Sequence, residues 1–144
     1  RQIMRLICEL CAERDLAALM DDLEALTEAN TGLRLTVALN YGGRGEIVAA
    51  ARRLAEDAAA GRLDPAAIDE DAFSAALWTD GLPDPDLVIR TSGEMRVSNF
   101  LTWQTAYAEF AFVDECWPDF TPEIFARTLD LFGARERRFG AAAG

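Results

Sequence analysis

Between the loop GLPDPD (residues 81–86) and Arg90 stands a run of three apolar residues, Leu87, Val88 and Ile89, and no other stretch limits the fold as much. Two prolines force the loop before it, and Thr91-Ser92-Gly93 frees the backbone after it. The run is too short for a helix and predicts a buried strand. In open α/β sheets ligands sit beyond the carboxyl ends of such strands. What stands there is Arg90, then Glu94, Arg96 and Ser98, with Ser98 predicted to open an aromatic helix closing on Glu109. Arginine is well shaped to hold phosphate through paired hydrogen bonds. A serine hydroxyl and the N–H groups of a helix start favour the same anion. The segment 86–109 reads as a phosphate or diphosphate clamp.

The rest of the chain alternates helix and strand. Ile3, Leu6, Ile7 and Leu10 recur at helical spacing, as do Leu16, Leu19, Leu23 and Leu26, so two helices are predicted at the start. Asp15 is placed to cap the second, and Asn30-Thr31-Gly32 to stop it. Residues 34–39 read as a strand, 40–45 (NYGGRG) as a glycine turn, and 46–60 as an alanine-rich helix ended by Gly61. Asp64-Pro65 predicts a helix reaching about Trp78, with Asp as cap and Pro in first position. A short strand is expected over 110–114 and a turn over 117–120. Thr121-Pro122-Glu123 carries the cap, proline and acid of a last helix. The expectation is a single α/β domain over 1–144, a mostly parallel sheet of three strands flanked by helices, with a frayed tail at 141–144.

Composition narrows the chemistry. The 144 residues are 51% hydrophobic, enough for a real core. Twenty-five acids against 14 bases leave a net charge of −11, which argues against a nucleic-acid partner but permits a local cationic cluster. Every base is Arg, and histidine is absent, so the usual general base and the commonest zinc ligand are missing. Chemistry must run on carboxylates, arginines, hydroxyls and a hard metal such as Mg²⁺. Cys8, Cys11 and Cys116 are an odd count, read as buried or half-buried inert thiols in a reducing cytoplasm. No apolar run approaches the ~20 residues of a membrane span.

Each candidate also has a plain structural reading. Arg90 fits an ion pair with Glu94 or Asp86, and Ser98 fits a helix cap. Glu109 fits an ordinary surface acid, and Arg135, Arg137 and Arg138 fit the dipole at a helix end. Gly42-Gly43-Arg44-Gly45 fits a phosphate cradle or a tight turn equally well. Phe100, Trp103, Tyr107 and Phe110 read mostly as core, with one or two lining a dimer contact.

Four stretches together resemble a known family. LNYGGRGEIV (39–48), DLVIRTSGEMRVSNFLTWQTAYAEFAF (86–112), WPDF (117–120) and RERRFG (135–140) are similar to the later half of cis-prenyltransferases. The likeness is to bacterial isoprenyl transferases of the undecaprenyl diphosphate synthase type, from about Leu16 to Gly140. The resemblance implies a Mg²⁺-dependent transferase that condenses isopentenyl diphosphate onto an allylic prenyl diphosphate with cis geometry. It implies that Arg90, Arg96, Val97 and Ser98 hold the isopentenyl diphosphate and that Glu109 helps hold Mg²⁺. Arg138 and Gly140, the ends of an R-x-G motif, would reach the neighbouring site of a homodimer. A cytoplasmic location is implied too, with no more than peripheral membrane contact through a lipid product. The family's opening Asp-Gly-Asn-x-Arg motif is absent from these residues, so no catalytic residue is assigned to this chain. The expectation is a piece of a longer protein, inactive alone. The alternatives are a non-catalytic partner subunit or a diphosphate-binding module.

Overall fold

Residues 2–7 and 14–135 are described by the structure, a computed structural model. The chain divides after Gly81 into two compact units. In the first, strand β1 (Gln2–Ile7) pairs in parallel with β2 (Arg34–Leu39), Gln2 facing Arg34 and Ile7 facing Leu39. Helix α1 (Arg14–Thr27) connects them. The helix predicted from Ile3, Leu6 and Ile7 is therefore a strand. Apolar residues three and four apart, in a run this short, fit a strand of a parallel sheet as well as they fit a helix face. Cys8, Cys11 and the cap expected of Asp15 lie outside the residues whose side chains are described.

Helix α2 (Gly43–Ala59) starts inside the predicted glycine turn, because Gly42, at φ −151°, already serves as its N-cap. Asn40, at φ 50°, makes the turn out of β2, and Gly61, at φ 70°, follows the helix end as anticipated. The long helix expected from Asp64 is split. A single 3₁₀ turn (Pro65–Ala67) is capped by Asp64, and α3 (Glu70–Ala76) is capped by Asp69, whose Oδ1 accepts from the Ala72 N–H at 2.8 Å. A second capping aspartate offers the backbone a fresh start and so ends the first turn. Helices α2 and α3 pack together, and Met20, Ala50, Leu54, Ala76 and Leu77 are buried in this unit.

Glu46 is also buried in this unit, fully and as a carboxylate-bearing side chain. The Tyr41 hydroxyl donates to its Oε2 at 2.5 Å and the Trp78 N–H to its Oε1 at 2.9 Å. The Tyr41 and Trp78 rings meet edge to face at 6.1 Å. Glu46 shares a helix face with Ala50 and Leu54, so the acid takes a core position.

The second unit has β3 (Leu87–Arg90) in parallel with β4 (Glu109–Phe112), Leu87 facing Glu109 and Arg90 facing Phe112. Two pairs of strands thus stand among the described residues where three strands were expected. Helix α4 (Pro122–Gly133) packs against β4. Thr121 caps it, its Oγ1 accepting from the Ile124 N–H at 3.4 Å, as the sequence predicts. The crossover from β3 to β4 contains no regular helix, contrary to the reading of 98–109. Ser98, Asn99 and Leu101 have φ of 48°, 64° and 45°, incompatible with α-helical backbone. The crossover is instead a chain of turns, such as Phe100 N–H to Val97 C=O at 3.0 Å and Thr105 N–H to Leu101 C=O at 3.0 Å. Its buried side chains are the polar Gln104 and Thr105, while Phe100 and Tyr107 are exposed. Cys116 is exposed beside the surface turn Trp117–Asp119 rather than buried.

Among the described residues no helix is long and apolar enough to cross a membrane.

Candidate functional site

Arg90 closes β3, and the backbone then turns sharply. Ser92 and Gly93 have φ of 70° and 64°. The Ser92 N–H donates to the Glu115 carbonyl at 2.8 Å and the Gly93 N–H to the Val113 carbonyl at 2.9 Å. These bonds tie the loop to the chain leaving β4. At Gly93 an added Cβ would lie 3.4 Å from Asp114 Oδ1, and the positive φ itself favours glycine.

The turn carries Glu94 back onto Arg90. Arg90 Nη2 donates to Glu94 Oε2, and Arg96 Nη2 donates to Glu94 Oε1 at 2.5 Å. Arg96 Nε also donates to Ser98 Oγ at 3.1 Å. Arg90, Glu94, Arg96 and Ser98 are thereby linked in one hydrogen-bonded chain at the end of β3. The side chains of Arg90 and Glu94 are about one-third exposed, and that of Arg96 is 64% exposed. The hydrogen bond from Arg90 holds the Glu94 carboxyl below the ordinary carboxylate range; partial desolvation opposes this and the nearby Arg96 charge assists it. Val97 is exposed, and its carbonyl accepts from Phe100. Ser98 is not a helix cap, since no helix follows it; its hydroxyl belongs to Arg96.

Glu109, the first residue of β4, meets a cation already in the chain. Arg135 Nη1 donates to its Oε2 at 2.7 Å and to the Phe110 carbonyl at 3.3 Å. Arg135 therefore does more than face a helix dipole. Among the described residues no group of three or more His, Cys, Asp or Glu side chains is placed to hold a metal ion. Glu109 by itself does not make a magnesium site. Arg138 and Gly140 lie outside the described residues.

A cleft of about 440 Å³ lies in the same unit, lined by Phe110, Phe112, Leu131 and Phe132 with Arg127 and Arg135. Arg90, Arg96 and Ser98 do not line it, so the clamp is a surface arrangement rather than a wall of this cleft.

An arginine at a strand end, a second arginine six residues on and a serine two beyond it are joined by hydrogen bonds through or beside Glu94. The sequence matches the undecaprenyl diphosphate synthase family of prenyltransferases over residues 7–140. This chain belongs to the cis-prenyltransferase family. It is 57% identical over 126 residues to an isoprenyl transferase of Brucella suis, covering 88% of this chain and 50% of that protein. An isoprenyl transferase of Agrobacterium fabrum is 50% identical over 129 residues, covering 90% and 52%. Among solved structures, the lavandulyl diphosphate synthase of Lavandula x intermedia, in complex with dimethylallyl diphosphate, superposes with a TM-score of 0.91 at 37% identity. That match covers 96% of this chain and 60% of that one. The chain thus spans about half the length of the curated relatives it matches. Its α/β fold with parallel strand pairs is the cis-prenyltransferase fold.

From sequence an ion pair is an open reading for either arginine, but not a single carboxylate, that of Glu94, joining both. The signal was available: an acid four residues after one arginine and two before the other. Glu46 went unnoticed because an acid in a helix's first turn usually faces solvent. Its spacing with Ala50 and Leu54 was the clue.

Proposed function

We propose that the protein is an isoprenyl transferase that condenses isopentenyl diphosphate with an allylic prenyl diphosphate in cis geometry, and that this chain supplies the isopentenyl diphosphate site. The observation that carries the reading is the convergence of Arg90, Arg96 and Ser98 at the carboxyl end of β3. Guanidinium forks and a hydroxyl there suit the oxygens of a diphosphate. Val97 sits between them in sequence and is assigned to the same subsite; Arg138 and Gly140 are assigned to it across a homodimer.

In this reading the residues of this chain orient. They hold the homoallylic substrate by its diphosphate so that its double bond meets the allylic carbon whose C–O bond breaks. The chemistry needs no covalent link to the protein. Mg²⁺ is part of the proposal through Glu109, but the described residues do not complete a metal site. Magnesium typically takes few protein ligands and several phosphate or water oxygens. The proposed setting is the cytoplasm, with a lipid product as the only link to a membrane and no nucleic-acid partner.

The test is steady-state kinetics on the full-length protein carrying Arg90→Ala. Loss of charge-assisted hydrogen bonds should raise KM for isopentenyl diphosphate about 10- to 100-fold, with the allylic substrate little affected. An unchanged KM for isopentenyl diphosphate would sink the assignment.

A second reading is a non-catalytic subunit that pairs with a complete synthase. The intact mass of the native protein separates the two. A mass near the 15.8 kDa of this chain would support the subunit, and one well above it the enzyme.

A further inference from the structure

We infer that Glu94 is a positioning residue whose carboxylate brackets Arg90 and Arg96 and presets both guanidiniums for one diphosphate; the inference rests on the isopentenyl diphosphate site proposed above. Two cations six residues apart on a turning loop repel each other, and each has a long side chain with many rotamers. One carboxylate, receiving Arg90 on Oε2 and Arg96 on Oε1, cancels that repulsion and points both forks to one place. Side chains already held lose less freedom when a ligand arrives.

The donor inventory decides between a bracket and a competitor. A guanidinium carries five N–H donors. Glu94 takes one from Arg90, while Glu94 and Ser98 take two from Arg96, so most of each fork stays open to phosphate oxygens. Two positive charges around one negative also leave the group net cationic. Glu94 need not leave for an anion to bind. A glutamate carboxyl is already ionised at neutral pH, and the hydrogen bond from Arg90 favours that charged form further.

The experiment compares Glu94→Ala, Glu94→Gln and Glu94→Asp with Arg90→Ala in the full-length protein. It reads both KM values, kcat, melting temperature and calorimetric binding of inorganic pyrophosphate. Glu94→Ala and Glu94→Gln should raise KM for isopentenyl diphosphate about 10-fold and weaken pyrophosphate alike, leaving the allylic KM unmoved. Glu94→Asp should recover most of the loss. If the alanine variant melts early, the isosteric Glu94→Gln carries the comparison. A change confined to kcat, an equal rise in both KM values, or no change overturns the inference. So does tighter pyrophosphate binding, which would make Glu94 a competitor. Should Arg90→Ala itself leave the KM unmoved, the clamp reading fails; if Arg90→Ala raises it and the Glu94 variants do not, only the bracket fails.

Discussion

Glu46 shows how much one buried acid can organise. Its two carboxylate oxygens receive the Tyr41 hydroxyl at the exit of β2 and the Trp78 N–H just beyond α3, so one side chain at the start of α2 joins three segments. Removing an acceptor from a buried site leaves its donors without water or partner, which costs more than the hydrogen bond contributed. Glu46→Ala should therefore destabilise the fold by about 2–4 kcal/mol, and Tyr41→Phe by about 1 kcal/mol. Chemical denaturation of the purified variants reads both. Equal, small losses would mean that the pocket relaxes around the missing carboxylate. By contrast, the Arg90–Glu94–Arg96 group is partly open to water, where ion pairs add little to stability. Its consequence is expected in ligand binding.

Helix α4 is the element whose limits follow most directly from local chemistry. Thr121 caps it, Pro122 fills its first position and Glu123 lies in its first turn. Hydrogen bonding with the Thr121 side chain, then with its own backbone N–H, lowers the Glu123 pKa below the ordinary carboxylate range. A depressed carboxylate stabilises the folded state above its unfolded value, and that contribution fades as pH falls through the folded value. Thr121→Ala should thus cost about 1 kcal/mol at neutral pH through the lost cap. The gap between wild type and variant should narrow in acid. The part of the Glu123 contribution that needs the Thr121 side chain is present at neutral pH only in wild type, and it is lost as the carboxylate is protonated. Denaturation curves at the two acidities measure it; a gap independent of pH would refute the coupling. The β3–β4 crossover behaves differently. Its aromatic spacing suggested a helix, yet left-handed backbone at Ser98, Asn99 and Leu101 makes it a series of turns. That irregular path is what sets Arg96 and Ser98 beside Glu94.

For the whole molecule, the net charge of −11 makes the two-arginine cluster a local exception in an acidic surface. Each unit has a two-stranded parallel sheet, and much apolar surface remains open, including Leu35 and Val37 on β2 at 49% and 38% exposure. The family's opening motif is absent from these residues, and the chain covers half of the relatives' length. Residues 1–144 produced alone should accordingly show no measurable chain elongation from isopentenyl diphosphate, whereas the full-length protein should show it with Mg²⁺ and lose it with a chelator. Radiolabelled product extraction makes the comparison. Elongation by the isolated segment would overturn the division of labour proposed for it.

Much was legible from residues alone, and for local reasons. Caps, prolines and glycines act over a few positions, so β2, α2, β3, β4 and α4 could be placed to within a few residues. The motif from Asp86 to Glu109 marked the family and the candidate anion site by its residue types. Tertiary structure decided the rest. Whether Ile3–Ile7 would be helix or strand depended on a partner, β2, more than twenty residues away. Whether Glu46 would face water depended on Tyr41 and Trp78 closing over it. Glu94 could pair with one arginine or both, and only the turn at Ser92-Gly93, held by the chain leaving β4, brings both onto its carboxylate. Spacing along a chain records local preference, while burial and pairing are set by contacts between segments that sequence distance does not encode.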